Sequence, residues 1–371
     1  MVNWDEIRTE FPITAHTAYL NTAAAGPLSR ETADAAQLYY LQMMGAGDAH
    51  WNLWLAERER IRQLVADFIN AEPDEIAFTT NTSSGMNLIV DVLEGRGEVI
   101  SCDLEFPVST IPWMHRRIPV HLVKNRNGEL KSDDINSAMT TKTSVICLSH
   151  VQFSNGFRLN PIEVGRMKRG RLLVLNASQS AGVFALDVKR MGIDALCSTG
   201  HKWMLSGYGS GFVYISRELL AATRPRAIGW LSVEDPYAMR NDEIRLRRDL
   251  AARAELGCPP FAGIFALGAS IEQLNSIGKE KIEERALTLN RLLTKLVEDS
   301  GWHILSPLSD ESFRSAETLI QAVDPAGLTS YLSERGVAVT EKPQGIRVAT
   351  DFFNNEEDIY RLLEGLRSYK E

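Results

Sequence analysis

Apolar residues recur along this chain with two different periods. Between residues 76 and 215 they fall in short continuous runs: Ile76-Ala77-Phe78-Thr79, Glu98-Val99-Ile100-Ser101, Ser144 to Ser149, Leu172 to Leu175, Ala195-Leu196-Cys197 and Gly211 to Ile215. Runs of this kind, ended by turn residues, predict buried strands. Helical stretches lie between them, through Leu88 and Val92 and from Ile162 to Lys168. Strands alternating with helices predict right-handed crossovers and a mostly parallel sheet, an α/β fold.

On either side of this block the period is helical. Trp4 to Phe11 predicts a short helix, and Ser29 is placed to cap another with Glu31 in its first turn. From Leu53 to Ile69 the residues Trp54, Ile61, Leu64, Val65 and Phe68 share one face, which predicts a core-facing helix ended at Ala71-Glu72-Pro73. Beyond Pro259-Pro260, residues 263–299 predict one long helix or a helix broken at Gly278. A helix near Gly327 to Arg335, strands at Val337 to Val339 and Ile346 to Ala349, and a last helix follow. That helix has Asn354 and Glu357 at capping-box spacing and an apolar face of Ile359, Leu362, Leu363 and Leu366. The expected division is a large domain over 17–262 and a smaller α+β domain over 263–371 with 1–16.

Composition narrows the class without choosing a function. The chain has 371 residues, 44% hydrophobic and 24% charged, with a formal net charge of −8. Such a chain buries a core without cross-links. No basic stripe points to nucleic acid, and Arg245-Leu246-Arg247-Arg248 adjoins acids as a solvated face does. No apolar run is long enough for a bilayer, and the stretch Met1 to Glu6 is acidic rather than leader-like. Cys102, Cys147, Cys197 and Cys258 are scattered, the first three in or beside apolar runs, which predicts reduced thiols in a cytoplasmic protein. No metal-binding spacing occurs, so no metal is expected.

The polar clusters follow strand ends, where sheets of this class bind ligands. After Ala195-Leu196-Cys197 comes Ser198-Thr199-Gly200-His201-Lys202-Trp203. A Ser-Thr-Gly turn can aim hydroxyls and N–H groups at an anion. A lysine sheltered beside it can lose its proton more readily and act as a nucleophilic amine. Together they suit a phosphorylated aldehyde held on Lys202; taken alone the stretch equally suits a surface lysine. Asn81-Thr82-Ser83-Ser84-Gly85 opens a helix with three hydroxyls, as an anion site or as ordinary caps. Ala23-Ala24-Ala25-Gly26 is either a close-approach loop for a ligand or a plain tight turn.

In their order, these clusters resemble the class V aminotransferase and cysteine desulfurase branch of fold-type I pyridoxal-phosphate (PLP) enzymes. The resemblance runs from Tyr19 to the last helix. It is carried by Tyr19-Leu20-Asn21-Thr22-Ala23-Ala24, Phe78 through Asn87, Glu105-Phe106-Pro107 with Pro112-Trp113, Ser149-His150-Val151, Gln179-Ser180-Ala181-Gly182, His201-Lys202-Trp203, Arg253 to Gly257 and Ile346-Arg347-Val348. Glu105-Phe106-Pro107 is most similar to the isopenicillin-epimerase-like relatives. The resemblance implies a large domain with a mostly parallel seven-stranded sheet, a homodimer with sites at its interface, and an amino acid as substrate. It implies that Lys202 carries PLP as a Schiff base and moves the substrate proton. It places Thr82, Ser83, Ser198 and His201 at the phosphate, Phe106 on the pyridine face, and Gln179 at the ring hydroxyl. Cys258 would reach the partner's phosphate, and Ala24 and Arg347 would meet the substrate, Arg347 gripping its carboxylate.

Two departures from the family matter. Asn176 stands where the family has the aspartate that keeps the ring nitrogen protonated; an amide can instead donate to an unprotonated nitrogen. No cysteine lies between Val337 and Arg347, where a desulfurase needs its mobile thiol. The expected activity is therefore transamination, with β-elimination of the C–S lyase type or epimerisation as alternatives. A PLP-binding protein with little catalysis is a further one, because of Asn176.

Overall fold

The computed structural model describes residues 2–369; Met1, Lys370 and Glu371 lie outside the described residues. In chain order the strands are β1 (Ala18–Tyr19), β2 (Ile76–Phe78), β3 (Glu98–Cys102), β4 (Val120–Val123), β5 (Thr143–Ser149) and β6 (Leu172–Asn176). There follow β7 (Ala195–Thr199), β8 (Gly211–Ile215), β9 (Glu317–Gln321), β10 (Val337–Ala338), β11 (Thr340–Lys342) and β12 (Gly345–Ala349). Seven of them form one sheet in the order β2-β8-β7-β6-β5-β3-β4. It is parallel except at β8, which runs antiparallel to both β2 and β7. Only residues 200–210 join β7 to β8, without a crossover helix, and such a link returns the chain antiparallel.

The central strands read as continuous apolar runs because both sheet faces are covered. Leu173, Leu175, Ile146, Leu148 and Leu196 point into one core cluster with the helices Trp51–Ile69 and Phe261–Ile277. Their neighbours Val174, Val145, Cys147, Ala195 and Cys197 point into a second cluster with the helix Thr82–Leu93. Consecutive residues of a strand face opposite ways, so each strand serves two cores. Full burial of one such leucine contributes about 1.5–3 kcal/mol. The edge strand β4, Val-His-Leu-Val, is half exposed and lacks an apolar run; it escaped the sequence pattern for that reason.

A second sheet, β11-β12-β9, is antiparallel and packs with the helices Lys279–Asp299, Pro325–Glu334 and Glu356–Ser368. The brief strand at Ala18–Tyr19 pairs with β10, and Ala18 and Leu20 pack in this third cluster. The helical stretch does break at Gly278, whose φ of 99° a side chain rarely adopts. Its first half, Phe261–Ile277, packs under the large sheet. The last helix starts one residue later than expected. Asn355, not Asn354, caps it, in a capping box with Asp358, while Asn354 donates to Tyr19 O and Asp358 Oδ2. No helix among the described residues is long and apolar enough to cross a membrane.

Candidate active site

The carboxyl ends of β5, β6 and β7 open onto a cleft of about 180 Å³ beside the start of the helix Thr82–Leu93. Among its lining residues are Thr82, Ser83, Phe106, Phe153, Asn176, Gln179, Thr199, His201 and Lys202. Residues far apart in sequence meet here because every parallel strand delivers its following loop to the same edge.

Lys202 follows β7 in a turn held by the Gly200 N–H to Ser210 O bond and the Leu205 N–H to Lys202 O bond. Burial, then the nearby Arg347 and Lys342 charges, lower its amine to a pKa of about 8, against an opposing pull from Glu317. Its Nζ lies 5.9 Å from the centre of the Phe106 ring. That ring is half exposed and meets Phe153 edge-on, with centres 5.1 Å apart. His201 stacks on Tyr208, and its Nδ1 is 2.7 Å from Thr199 Oγ1. Burial and the Lys202 charge lower its pKa to about 4, so the ring is neutral near pH 7.

The Asn176 amide is oriented by two serine hydroxyls and by one backbone N–H, which can only donate. The Ser178 N–H and Oγ donate to Oδ1 at 3.1 and 2.6 Å, and Nδ2 donates to Ser109 Oγ at 3.1 Å. Thr82 Oγ1 lies 2.6 Å from the same Ser178 hydroxyl. Since the backbone N–H of Ser178 cannot accept, the amide cannot turn over without losing these bonds. Gln179 is fixed in the same manner: Nε2 donates to Ala23 O at 2.9 Å, and Trp203 Nε1 donates to Oε1 at 2.8 Å.

Some expected residues lie elsewhere. Ser198 is buried within β7 and its hydroxyl donates to Ala177 O at 3.4 Å; Thr199, pointing the other way, lines the cleft instead. Cys258 is exposed and lines another cleft, of about 420 Å³, with Thr80, Ser84 and Pro259. Cys102, Cys147 and Cys197 are buried, and no cysteine is among the described residues lining the Lys202 cleft. Ala24 is half-buried in a loop whose small residues admit backbone. The Gly26 N–H donates to His201 O at 2.7 Å, and a Cβ on Gly26 would come within 2.3 Å of Lys202 O.

Arg347 is buried on β12, and its Nη1 donates to Phe153 O at 3.2 Å and pairs with Glu317 Oε2 at 3.3 Å. Lys342 Nζ sits 4.7 Å above the Phe153 ring, and burial with the Arg347 charge lowers its pKa to about 8. Sequence reasoning missed Glu317, Lys342 and Phe153. Lys342 lies between Val337 and Arg347, a span notable in the sequence only for its lack of cysteine; Phe153 follows β5 without a motif, and Glu317 opens an ordinary apolar strand and carries none.

Residues 18–361 match the aminotransferase class-V family. The chain belongs to that family. An uncharacterized aminotransferase of Bacillus subtilis is 24% identical over 97% of this chain and 96% of its own length. An isopenicillin N epimerase of Amycolatopsis lactamdurans is 27% identical over 98% and 97%. Among solved structures, the apo cysteine desulfurase of Thermococcus onnurineus superposes with a TM-score of 0.89 at 22% identity, covering 99% of this chain and 98% of that one. A C-DES mutant with glycine covalently linked to its PLP cofactor superposes with a TM-score of 0.88 at 20% identity, over 98% and 99%. These likenesses confirm the fold-type I architecture expected from the sequence.

Proposed function

We propose that this class V family member is a PLP-dependent enzyme that takes an amino acid at Lys202 and transaminates it. Family membership and the PLP-linked structural neighbour indicate the cofactor as PLP. The observation that carries the reading is the buried, readily deprotonated Lys202 facing the Phe106 ring in a cleft bordered by Thr82 and Ser83. The residues fit the group. The helix N-terminus at Thr82 and Ser83, with Thr199 and the neutral His201, suits a phosphate. The Phe106 face suits the ring, and Gln179 retains one N–H for a ring oxygen. Bound there, PLP supplies an electron sink for the substrate's α-carbon.

The chain's own groups do the rest. Lys202 would hold the cofactor at its aldehyde carbon, and its Nζ, when free, would hold and move the substrate proton. Arg347 holds the substrate carboxylate, with Ala24 beside it. We place the protein in the cytoplasm as a homodimer, with the Cys258 segment serving the partner's phosphate. A persulfide relay is not part of the reading, because no thiol is placed for it.

Two observations favour other outcomes. The full-length likeness to an epimerase favours epimerisation, and β-elimination is open to the same lysine chemistry. The neutral Asn176 favours weak catalysis. Borohydride reduction and peptide mapping are expected to place the pyridoxyl group on Lys202; a tag on another lysine refutes the assignment. Amino acids added to the PLP-loaded protein are expected to shift its absorbance and to yield keto acid only with an amino acceptor. Keto acid without an acceptor means elimination, inverted substrate means epimerisation, and an unresponsive spectrum means passive binding.

A further inference from the structure

Strand β9 supplies a carboxylate to the arginine assigned above to the substrate. Glu317 and Arg347 are diagonal neighbours on one face of antiparallel strands, since Arg347 lies opposite Leu319 and Glu317 opposite Ala349. Their side chains are 1% and 4% exposed, and the closest approach is 3.3 Å. The pair is loosely made. Arg347 Nη1 gives its hydrogen bond to Phe153 O, and neither Glu317 oxygen has a hydrogen-bond partner among the described residues. Desolvation of a buried ion pair whose oxygens lack further hydrogen bonds can exceed its attraction, so the pair is weak evidence of a stabilising role. Burial pushes the Glu317 carboxyl up, and three cations oppose this: Arg347 from β12, Lys202 from the turn after β7, and Lys342 from β11.

We infer that Glu317 is an internal stand-in for the substrate carboxylate, neutralising Arg347 before substrate arrives and yielding it to the incoming carboxylate with uptake of one proton. The inference rests on the reading of Arg347 given under Proposed function. The exchange balances simply. A ligand carboxylate takes the arginine's hydrogen bonds, Glu317 is left as a buried charge without its nearest partner, and one proton from solvent neutralises it. No other bond changes. Glu317 thereby sets a threshold for binding. A carboxylate alone must displace it, whereas an amino acid also gains its attachment at the cofactor.

Two probes on the PLP-loaded protein isolate this exchange: aminooxyacetate and methoxyamine. Each aminooxy group condenses with the cofactor's aldehyde carbon and frees the Lys202 amine, but only aminooxyacetate carries a carboxylate. The ratio of their apparent affinities, read by absorbance, reports the carboxylate site alone. Glu317→Gln is expected to raise the preference for aminooxyacetate about tenfold, the equivalent of one charge-assisted hydrogen bond. In the wild type this preference is expected to fall as pH rises, because proton uptake is part of binding, and to flatten in Glu317→Gln. An unchanged or lowered preference in Glu317→Gln overturns the inference. So does a pH slope that survives Glu317→Gln and disappears in Lys342→Met. Should Glu317→Gln fail to fold, Glu317→Asp, with its shorter reach, is expected to raise the preference by less; no rise overturns it. Arg347→Ala tests the underlying reading separately. If it keeps the wild-type preference, Arg347 is not the carboxylate residue, whatever Glu317 does.

Discussion

At the scale of single residues, Asn176 and Lys202 make the sharpest demands. The amide of Asn176 spends its oxygen on Ser178 and one N–H on Ser109, which leaves an N–H as its only further offer. A protonated ring nitrogen would set donor against donor. An aspartate would form a charge-assisted pair with that proton, whereas the amide gives a neutral bond of about 0.5–1.5 kcal/mol. One pKa unit corresponds to about 1.4 kcal/mol, so exchange of the ion pair for the amide lowers the nitrogen's pKa appreciably. Nitrogen-15 NMR of labelled PLP is expected to show an unprotonated ring nitrogen in the wild type and a protonated one in Asn176→Asp; a protonated wild-type ring near neutral pH refutes this. Lys202 is lowered from 10.5 to about 8, first by burial. The amine gains its free form as pH rises, so PLP uptake by the apoprotein is expected to accelerate with a midpoint near that lowered value. An inflection close to the ordinary lysine value would contradict the burial argument.

At the scale of elements, neighbouring asparagines do different work at the start of the last helix. Asn355 caps it in the usual sense, accepting from Asp358 N at 3.1 Å. Its replacement by alanine is expected to cost about 1 kcal/mol. Asn354 is 1% exposed and ties the helix to the backbone of β1 through Tyr19 O, besides accepting from Asp351 N. Asn354→Ala leaves those buried groups unsatisfied, each at a cost of about 1–3 kcal/mol. Thermal or denaturant unfolding of the two variants is expected to rank Asn354→Ala as the more damaging; the reverse order would restore the cap expected from spacing. Spacing alone could not separate them, because Asn354 with Glu357 and Asn355 with Asp358 offer the same pattern one residue apart.

At the scale of the whole molecule, the helix Arg30–Ala46 carries Leu38, Tyr40, Leu41, Met43 and Met44 on exposed positions, Met44 at 80%. Large apolar side chains left exposed on one helix suit an interaction surface, as the proposed homodimer requires. Sedimentation is expected to give twice 41.4 kDa for the wild type. The double variant Leu41→Glu, Met44→Glu is expected to give a single chain with weakened PLP retention. A wild type that sediments as one chain at all concentrations contradicts the proposal.

The sequence by itself determined the α/β class, the central buried strands and the place of Lys202. These rest on local pattern: an apolar run buried on both faces, a turn after it, and a lysine within that turn. It also marked Asn176 and Gln179 as strand-end residues. Tertiary structure alone decided the rest. β8 runs antiparallel because its connection is short, and Thr199 rather than Ser198 faces the cleft because strand residues alternate. The helix Phe261–Ile277 joins the core under the large sheet because its apolar residues meet the helices Arg30–Ala46 and Trp51–Ile69 there. Glu317 was invisible for the same reason. One carboxylate at the start of an apolar strand means nothing until cross-strand register sets it beside Arg347, and until the fold brings both near Lys202, which lies more than a hundred residues earlier in the chain.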